Sequence, residues 1–379
     1  MKTSSPFAAH RADLAALAAD DRRRALAPRA GVDFASNDYL ALAGSYALNE
    51  ALARGVALGL PAGSGGSRLL RGNHAEHEAL ETHAARHYGS EAALFFPTGF
   101  AANAALFATL PQRGDLIVHD ALIHASAHDG MRIGRADRTA AAHNDPQAFD
   151  DAISGWRRDG GAGTPWIAVE SLYSMDGDRA PLADLAAVAD RHDAVLIVDE
   201  AHATGVYGPA GQGLAHDLAG RENLVTLHTC GKALGCEGAL LCAPAIVRDF
   251  LVNRGRPFIF STAPSPLMAW LVRQSLEIVA GQPERQALLH GLVRHAATRL
   301  AALGLPASGS QIIPVQLGDN ARTMRVAAAL QDAGFDVRGI RPPTVPQGTA
   351  RLRIAITLNV GTREIDAMTE SLSAAMTAA

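Results

Sequence analysis

The chain has 379 residues, 48% of them hydrophobic, enough to bury a large core and to build more than one domain. Its charged fraction is 19% and its formal net charge −4, a balance that excludes bulk electrostatic attraction to nucleic acid or to an anionic membrane. The start, Met1-Lys-Thr-Ser-Ser-Pro-Phe, is not followed by the apolar run of a signal peptide, and no segment approaches the apolar length of a membrane span. Cys230, Cys236 and Cys242 fit neither a zinc knuckle nor a disulfide framework, so a reducing, cytoplasmic compartment is expected.

In chain order, the pattern predicts an amphipathic helix over residues 14–24 and a strand from Val32 that enters a polar turn. Pro61-Ala-Gly-Ser-Gly-Gly-Ser reads as a glycine-rich loop leading to a helix over residues 74–88. From Ala92 to about Ala263, short apolar strands alternate with helices such as residues 181–192. The strands are predicted at residues 93–96, 116–118, 166–170, 195–199, 225–228 and 239–242. Near-continuous apolar runs are expected of strands buried on both faces, so an α/β fold with a large, mostly parallel sheet between helices is predicted. After Pro266 come two long helices (residues 267–280 and 284–303), a strand (312–317), a helix (322–334), a strand (350–357) and a last helix (363–376). The resulting division is an N-terminal helix and short strand (1–40), a large domain (41–277) and a smaller C-terminal α+β domain (278–379).

The most informative residue is Lys232, placed just past an apolar strand in Leu224-Val-Thr-Leu-His-Thr-Cys-Gly-Lys232. A lysine at a buried strand end loses water and part of its proton affinity, and can then form a Schiff base with a carbonyl. A second strand, Ala194-Val-Leu-Ile-Val-Asp199-Glu-Ala-His202, draws Asp199 toward the interior, where an unpaired carboxylate is costly. A buried cation would remove that cost, and the pyridinium of pyridoxal phosphate (PLP) is one. Asp-Glu-Ala-His is also a Walker B spelling, but no upstream glycine-rich loop ends in Gly-Lys-Ser/Thr, which excludes it. Gly99, at a strand-to-helix junction, admits either an ordinary turn or a phosphate at a helix N-terminus. His119 and His124 admit packing or stacking on an aromatic cofactor. His74, His77, His83 and His87, with Glu76 and Glu81, lack a metal-binding spacing and read as a solvated helix face, so no metal is expected. Arg341, stiffened by two prolines, is either a carboxylate clamp or a surface arginine, with Arg351 and Arg353 on the next strand.

Taken as an ordered set, Asn37-Asp-Tyr-Leu, Gly63-Ser-Gly-Gly-Ser-Arg68, Thr98-Gly-Phe-Ala-Ala-Asn103, His143-Asn-Asp, Glu170-Ser-Leu-Tyr-Ser-Met-Asp-Gly-Asp178, Asp199-Glu-Ala-His-Ala-Thr-Gly, Thr229-Cys-Gly-Lys232 and Arg341-Pro-Pro-Thr-Val-Pro resemble the α-oxoamine synthases. These are PLP-dependent acyltransferases of fold type I (aspartate aminotransferase-like), and the resemblance covers nearly the whole chain. It implies a Schiff base and proton shuttle at Lys232, a pyridine-nitrogen partner at Asp199 and a ring-stacking His124. Ser174 and His202 would sit near the ring hydroxyl, with Gly99, Phe100 and Thr229 on the phosphate. Arg341 would hold the amino-acid carboxylate, with Thr344 nearby; Asn37 joins the substrate-binding set; Arg22, of the triplet Arg22–Arg24, would serve the acyl substrate.

The resemblance further implies a homodimer in which Phe260-Ser-Thr262 reaches the other subunit's phosphate. Gly63-Ser-Gly-Gly-Ser is similar to the alanine-using branch. The implied reaction is therefore decarboxylative condensation of L-alanine with a pimeloyl thioester, carried on coenzyme A or on acyl carrier protein, in biotin biosynthesis. The alternative is a relative that uses glycine or serine with a different acyl-CoA. A PLP-fold protein that binds without catalysing is disfavoured, because Lys232, Asp199, His124 and His202 are all present. Two departures from the family pattern stand out: a short chain between Arg24 and Asp33, and Glu237 just beyond the Schiff-base lysine.

Overall fold

The computed structural model describes residues 5–379, which divide into two compact units. The larger comprises residues 37–174 and 178–288; the smaller comprises residues 5–36, 175–177 and 289–379.

A seven-stranded sheet organises the larger unit, in the order Ala92–Phe96, Ala239–Ala243, Leu224–Thr229, Val195–Asp199, Pro165–Glu170, Leu116–Asp120, Asp137–Ala141. The last five run parallel; Ala239–Ala243 is antiparallel to both of its neighbours. Successive residues of a strand feed separate cores, as a doubly covered sheet requires. Ile117 and Ile197 pack with Leu106, Phe107 and Leu241 on one face. Val118 and Val198 pack with Phe149, Ile153 and Leu185 on the other. The edge strand Asp137–Ala141 was not anticipated. Its first four residues, Asp-Arg-Thr-Ala, are exposed, so it carries no apolar run to read.

In the smaller unit, Val32–Asp33 pairs in parallel with Phe335–Asp336, which ties the N-terminal segment to the C-terminal residues. Arg338–Ile340, Ala350–Ala355 and Ile312–Gly318 form an antiparallel sheet, with helices Asn320–Asp332 and Thr362–Ala378 in the same unit. Gly177 also belongs here, with φ of 69°, and a Cβ on it would lie 2.1 Å from the Ile312 carbonyl oxygen. The turn in Met-Asp-Gly-Asp therefore accepts only glycine. The first helix spans Ala8–Ala19 rather than residues 14–24. It ends because Asp21 adopts φ of 51° and the Arg22 amide turns back to the Leu17 carbonyl, which leaves Arg22–Arg24 in extended chain.

Candidate active site

Parallel strands deliver their C-terminal ends to one edge of the sheet, where loops are free to carry chemistry. Pro165–Glu170 and Val195–Asp199 are in register there, so Glu170 and Asp199 are direct cross-strand partners. The next strand, Leu224–Thr229, runs on to Lys232, whose Nζ lies 3.2 Å from Thr229 Oγ1. A cavity of about 480 Å³ opens among these groups. Lys232, Asp199, His124 and His202 all line it, as do Asn37, Gly99, Phe100 and Thr229. Eight of the residues singled out from sequence are thus brought together within one unit. Ser174 is buried beside them and donates its amide to Glu170 Oε2 at 3.2 Å.

Asp199 is buried but well supplied with donors. Oδ1 accepts the Ala201 amide at 3.0 Å and Oδ2 accepts Asn103 Nδ2 at 3.0 Å. Each oxygen thus has an N–H donor, which fixes the buried carboxylate in place at the cavity wall. Asn103 also donates to Ser126 Oγ at 2.9 Å. That hydroxyl stands 2.8 Å from His124 Nδ1, which receives the Ser126 amide as well, at 3.2 Å. An amide can only donate, so Nδ1 is an acceptor and the neutral ring carries its proton on Nε2. Burial lowers the pKa of His124, against the opposing pull of Asp199, and this keeps the imidazole neutral.

Helix Gly99–Thr109 begins at the cavity. Thr98 caps it, taking the Ala101 amide on its hydroxyl at 3.0 Å and the Ala102 amide on its carbonyl. This leaves the first-turn amides of Gly99 and Phe100 for an external acceptor. A Cβ on Gly99 would stand 2.7 Å from Thr229 Cγ2, so only glycine lets the helix start come this close to the lysine strand.

His202 is fixed through Nδ1 by the Tyr39 hydroxyl at 2.6 Å, and that hydroxyl lies 3.0 Å from Asn37 Oδ1. Glu200, next to Asp199, points the other way. It accepts the Ser171 hydroxyl and the Leu214 and Ala215 amides, which consumes it in holding a loop. Burial nevertheless pushes it up to about 7. In Asp-Glu-Ala-His, therefore, the first acid serves the cavity and the second serves the architecture. Burial raises the thiol pKa of Cys236, in the cavity wall, to about 12, so it is a poor nucleophile. Glu237 is an exposed part of the same wall, and nothing in the structure explains its acid.

Arg22, Arg341 and Thr344 belong to the smaller unit. Arg22 Nε donates to the Pro342 carbonyl at 2.9 Å, Arg24 Nη2 donates to Thr344 Oγ1 at 3.0 Å, and Arg341 Nη1 donates to the Asp21 carbonyl. The arginine triplet and the Arg-Pro-Pro-Thr loop are thus assembled together. Arg351 is committed to an ion pair with Asp176. The histidine-bearing helix is less solvated than expected. His77 is fully buried, accepts the His74 amide on Nδ1 at 3.1 Å and donates from Nε2 to the Pro264 carbonyl at 2.8 Å.

Sequence reading assigned no task to Glu170, Asn103 or Tyr39, although each lies inside a motif it quoted. It also overlooked a strong signal. The 34 basic residues of the chain include only two lysines, Lys2 and Lys232. Arginine has replaced lysine wherever charge alone suffices; a group that must lose its proton to act as a nucleophile cannot be arginine.

The profile of the family "aminotransferase class I and II" matches residues 29–372. An 8-amino-7-oxononanoate synthase of Anaeromyxobacter dehalogenans is 41% identical, over 96% of this chain and 94% of its own length. A serine palmitoyltransferase variant from S. paucimobilis, solved with a bound PLP–myriocin aldimine, superposes with a TM-score of 0.89 at 26% identity, covering 100% of this chain and 99% of that one. The 8-amino-7-oxononanoate synthase of Francisella tularensis gives a TM-score of 0.77 at 26% identity, covering 91% and 97%. The fold is accordingly that of PLP fold type I, and the chain belongs to the aminotransferase class I and II family and, within it, to the 8-amino-7-oxononanoate synthases.

Proposed function

We propose that the protein is a PLP-dependent acyltransferase that condenses L-alanine with a pimeloyl thioester, releasing carbon dioxide and free thiol and yielding 8-amino-7-oxononanoate for biotin synthesis. The observation that carries this reading is one cavity holding Lys232 and the donor-supplied carboxylate of Asp199, in a chain 41% identical to a synthase of that name.

The cavity's own chemistry fits the cofactor. It offers a buried anion for a pyridinium, an amine for an aldehyde, and a glycine-started helix beside a threonine hydroxyl for a phosphate. When bound, PLP supplies an electron sink for the negative charge that develops at the amino-acid α-carbon. Asp199 would hold the ring nitrogen in its protonated form. His124, with Nδ1 anchored by Ser126, would present its ring face to the cofactor. Ser174 and His202 would meet the ring hydroxyl, and Gly99, Phe100 and Thr229 the phosphate. Lys232, in the same cavity, would take the substrate's α-proton on Nζ and return it after carbon dioxide has left. Arg341, with Thr344, would bind the amino-acid carboxylate in bidentate fashion, while Arg22 and Asn37 would help to orient the substrates.

Coenzyme A and acyl carrier protein both suit the basic Arg22–Arg24 run as acyl carriers. We place the enzyme in the cytoplasm as a homodimer. Among the described residues no helix is long and apolar enough to cross a membrane.

The likeness to serine palmitoyltransferase suggests a competing substrate pair, serine with a long-chain acyl-CoA. Substrate choice lies in side chains rather than in the backbone trace, and the identity figures, 41% against 26%, favour alanine and pimeloyl. The test is thiol and carbon dioxide release by the PLP-loaded protein, with L-alanine, glycine or L-serine set against pimeloyl-CoA or palmitoyl-CoA. Turnover is expected only with alanine and pimeloyl-CoA. Turnover with serine and palmitoyl-CoA would replace the assignment while keeping the family.

A further inference from the structure

Glu170 has no task in the reaction as described, yet it is 2% exposed, lines the cavity and faces Asp199 directly across the parallel pair. In-register residues of neighbouring strands sit about 5 Å apart and project to the same face. Two buried carboxylates on such neighbouring positions, each raising the cost of charging the other, do not both ionise readily. We propose that Glu170 and Asp199 carry one negative charge between them, with the proton on Glu170, so that Asp199 remains the anion offered to a cationic ring nitrogen. Glu170 is then a positioning residue that acts through Asp199. The inference rests on the PLP reading for its purpose, but not for the sharing of charge.

Three observations decide which partner keeps the proton. Asp199 accepts an N–H on each of its two oxygens, whereas among the described residues Glu170 takes a hydrogen bond on Oε2 alone, from the Ser174 amide, with the His124 backbone as a further influence. Every donor aimed at a carboxylate favours its ionised form, so the count favours Asp199 as the anion. Glu170 Oε1 is buried and has no hydrogen-bond partner among the described residues, so no donor stabilises a negative charge on it. Glutamate is also the weaker acid of the two in the absence of any environment.

The groups facing Glu170 are Asp199 on the neighbouring strand, Lys232, the backbone at His124 and the buried phenol of Tyr173. Burial is the largest influence and Asp199 the next, and both raise the Glu170 pKa well above the ordinary carboxylate range; Lys232 and the backbone donors oppose them without prevailing. A wall of charge −1 matches one pyridinium. A wall of charge −2 would leave an uncompensated anion in a desolvated site, which is strongly unfavourable.

Glu170→Gln removes the titration while keeping size and neutrality; Asp199→Asn removes the anion. PLP affinity of the two variants and the parent is measured by absorbance titration of cofactor-stripped protein, from neutral to alkaline pH. In parallel, the infrared carbonyl stretch of a protonated carboxyl is recorded without cofactor. The proposal expects Glu170→Gln to bind PLP within about threefold of the parent and Asp199→Asn to lose about a hundredfold or more. It also expects the parent to show a protonated-carboxyl band at neutral pH that Glu170→Gln lacks. The proposal is overturned if Glu170→Gln, folded by near-ultraviolet circular dichroism, loses affinity as far as Asp199→Asn. It is equally overturned if the infrared spectra of parent and Glu170→Gln are alike in that region. Should the parent itself fail to bind PLP, the cofactor reading falls, while the infrared measurement still decides the charge sharing.

Discussion

Two groups of carboxyls stand at the same edge of the main sheet, and they are completed in opposite ways. Asp120, at the end of Leu116–Asp120, accepts His143 Nδ1 at 2.8 Å and the amides of Leu122 and Asn144. His143 Nε2 reaches Asp178 at 2.7 Å, so one imidazolium clamps two loops between two acids. Burial opposes the charge on His143, but the bonds to Asp120 and Asp178 outweigh it and raise the ring to about 10. Glu170 and Asp199, one and two strands further along, have no imidazolium between them and face a cavity that also holds Lys232. The first group is bound together through His143 and specifies loop geometry, although Asp178 Oδ1 has no hydrogen-bond partner among the described residues; the second is left open to the cavity. Buried polarity satisfied within the chain reads as architecture, and buried polarity left open to a cavity reads as chemistry.

Substitutions can sharpen that contrast. Lys232→Ala should lower turnover by about 10⁴-fold or more and make PLP removable by dialysis, with little change in melting temperature. Asp199→Asn should lower kcat by about a hundredfold while leaving the fold intact, because the amide keeps the volume but loses the anion and one of the two accepted N–H bonds. Gly99→Ala drives a methyl toward Thr229 Cγ2 and should weaken PLP binding about tenfold. Its effect on urea stability should stay within about 1–3 kcal/mol.

The smallest effect on catalysis belongs to the group bound through His143. His143→Gln should leave turnover within about threefold but cost about 1–2 kcal/mol of stability, the ring being partly exposed. Because the folded pKa of His143 lies above the unfolded value of 6.5, its stabilisation is complete below that pH and disappears as pH rises through about 10. The stability gap between parent and His143→Gln, followed by denaturant midpoint against pH, should therefore close in alkali. A gap that widened in alkali would assign the clamp a different charge state.

Much of the fold was legible because its signals are local. The apolar runs of Val195–Asp199 and Leu224–Thr229 mark strands buried on both faces, and the residues that follow them fall where the cavity forms. The polar strand Asp137–Ala141 left no such trace, since an edge strand exposed to water needs no hydrophobic pattern. The end of the first helix was misplaced because Asp21, an ordinary residue in a left-handed conformation, supplies the stop without a glycine. Within the site, the types of Lys232, Asp199 and Gly99 carry their chemistry openly. Glu170 and Asn103 do not, because their parts depend on a cross-strand register and on a hydrogen bond spanning 96 positions. His77 was misjudged for the same reason: its partner, the Pro264 carbonyl, is 187 residues away.

The central claim is that the strand-end lysine holds the cofactor, and the composition of the chain makes this unusually easy to test. Reduction of the PLP-loaded protein with borohydride, followed by peptide mapping, can label only Lys2, Lys232 or the α-amino group. Stoichiometric pyridoxyl label on the peptide containing Lys232, and its loss in Lys232→Ala, is the predicted result. Label at Lys2 or at the α-amino group, or a Lys232 peptide left unmodified while PLP is bound, would contradict the account.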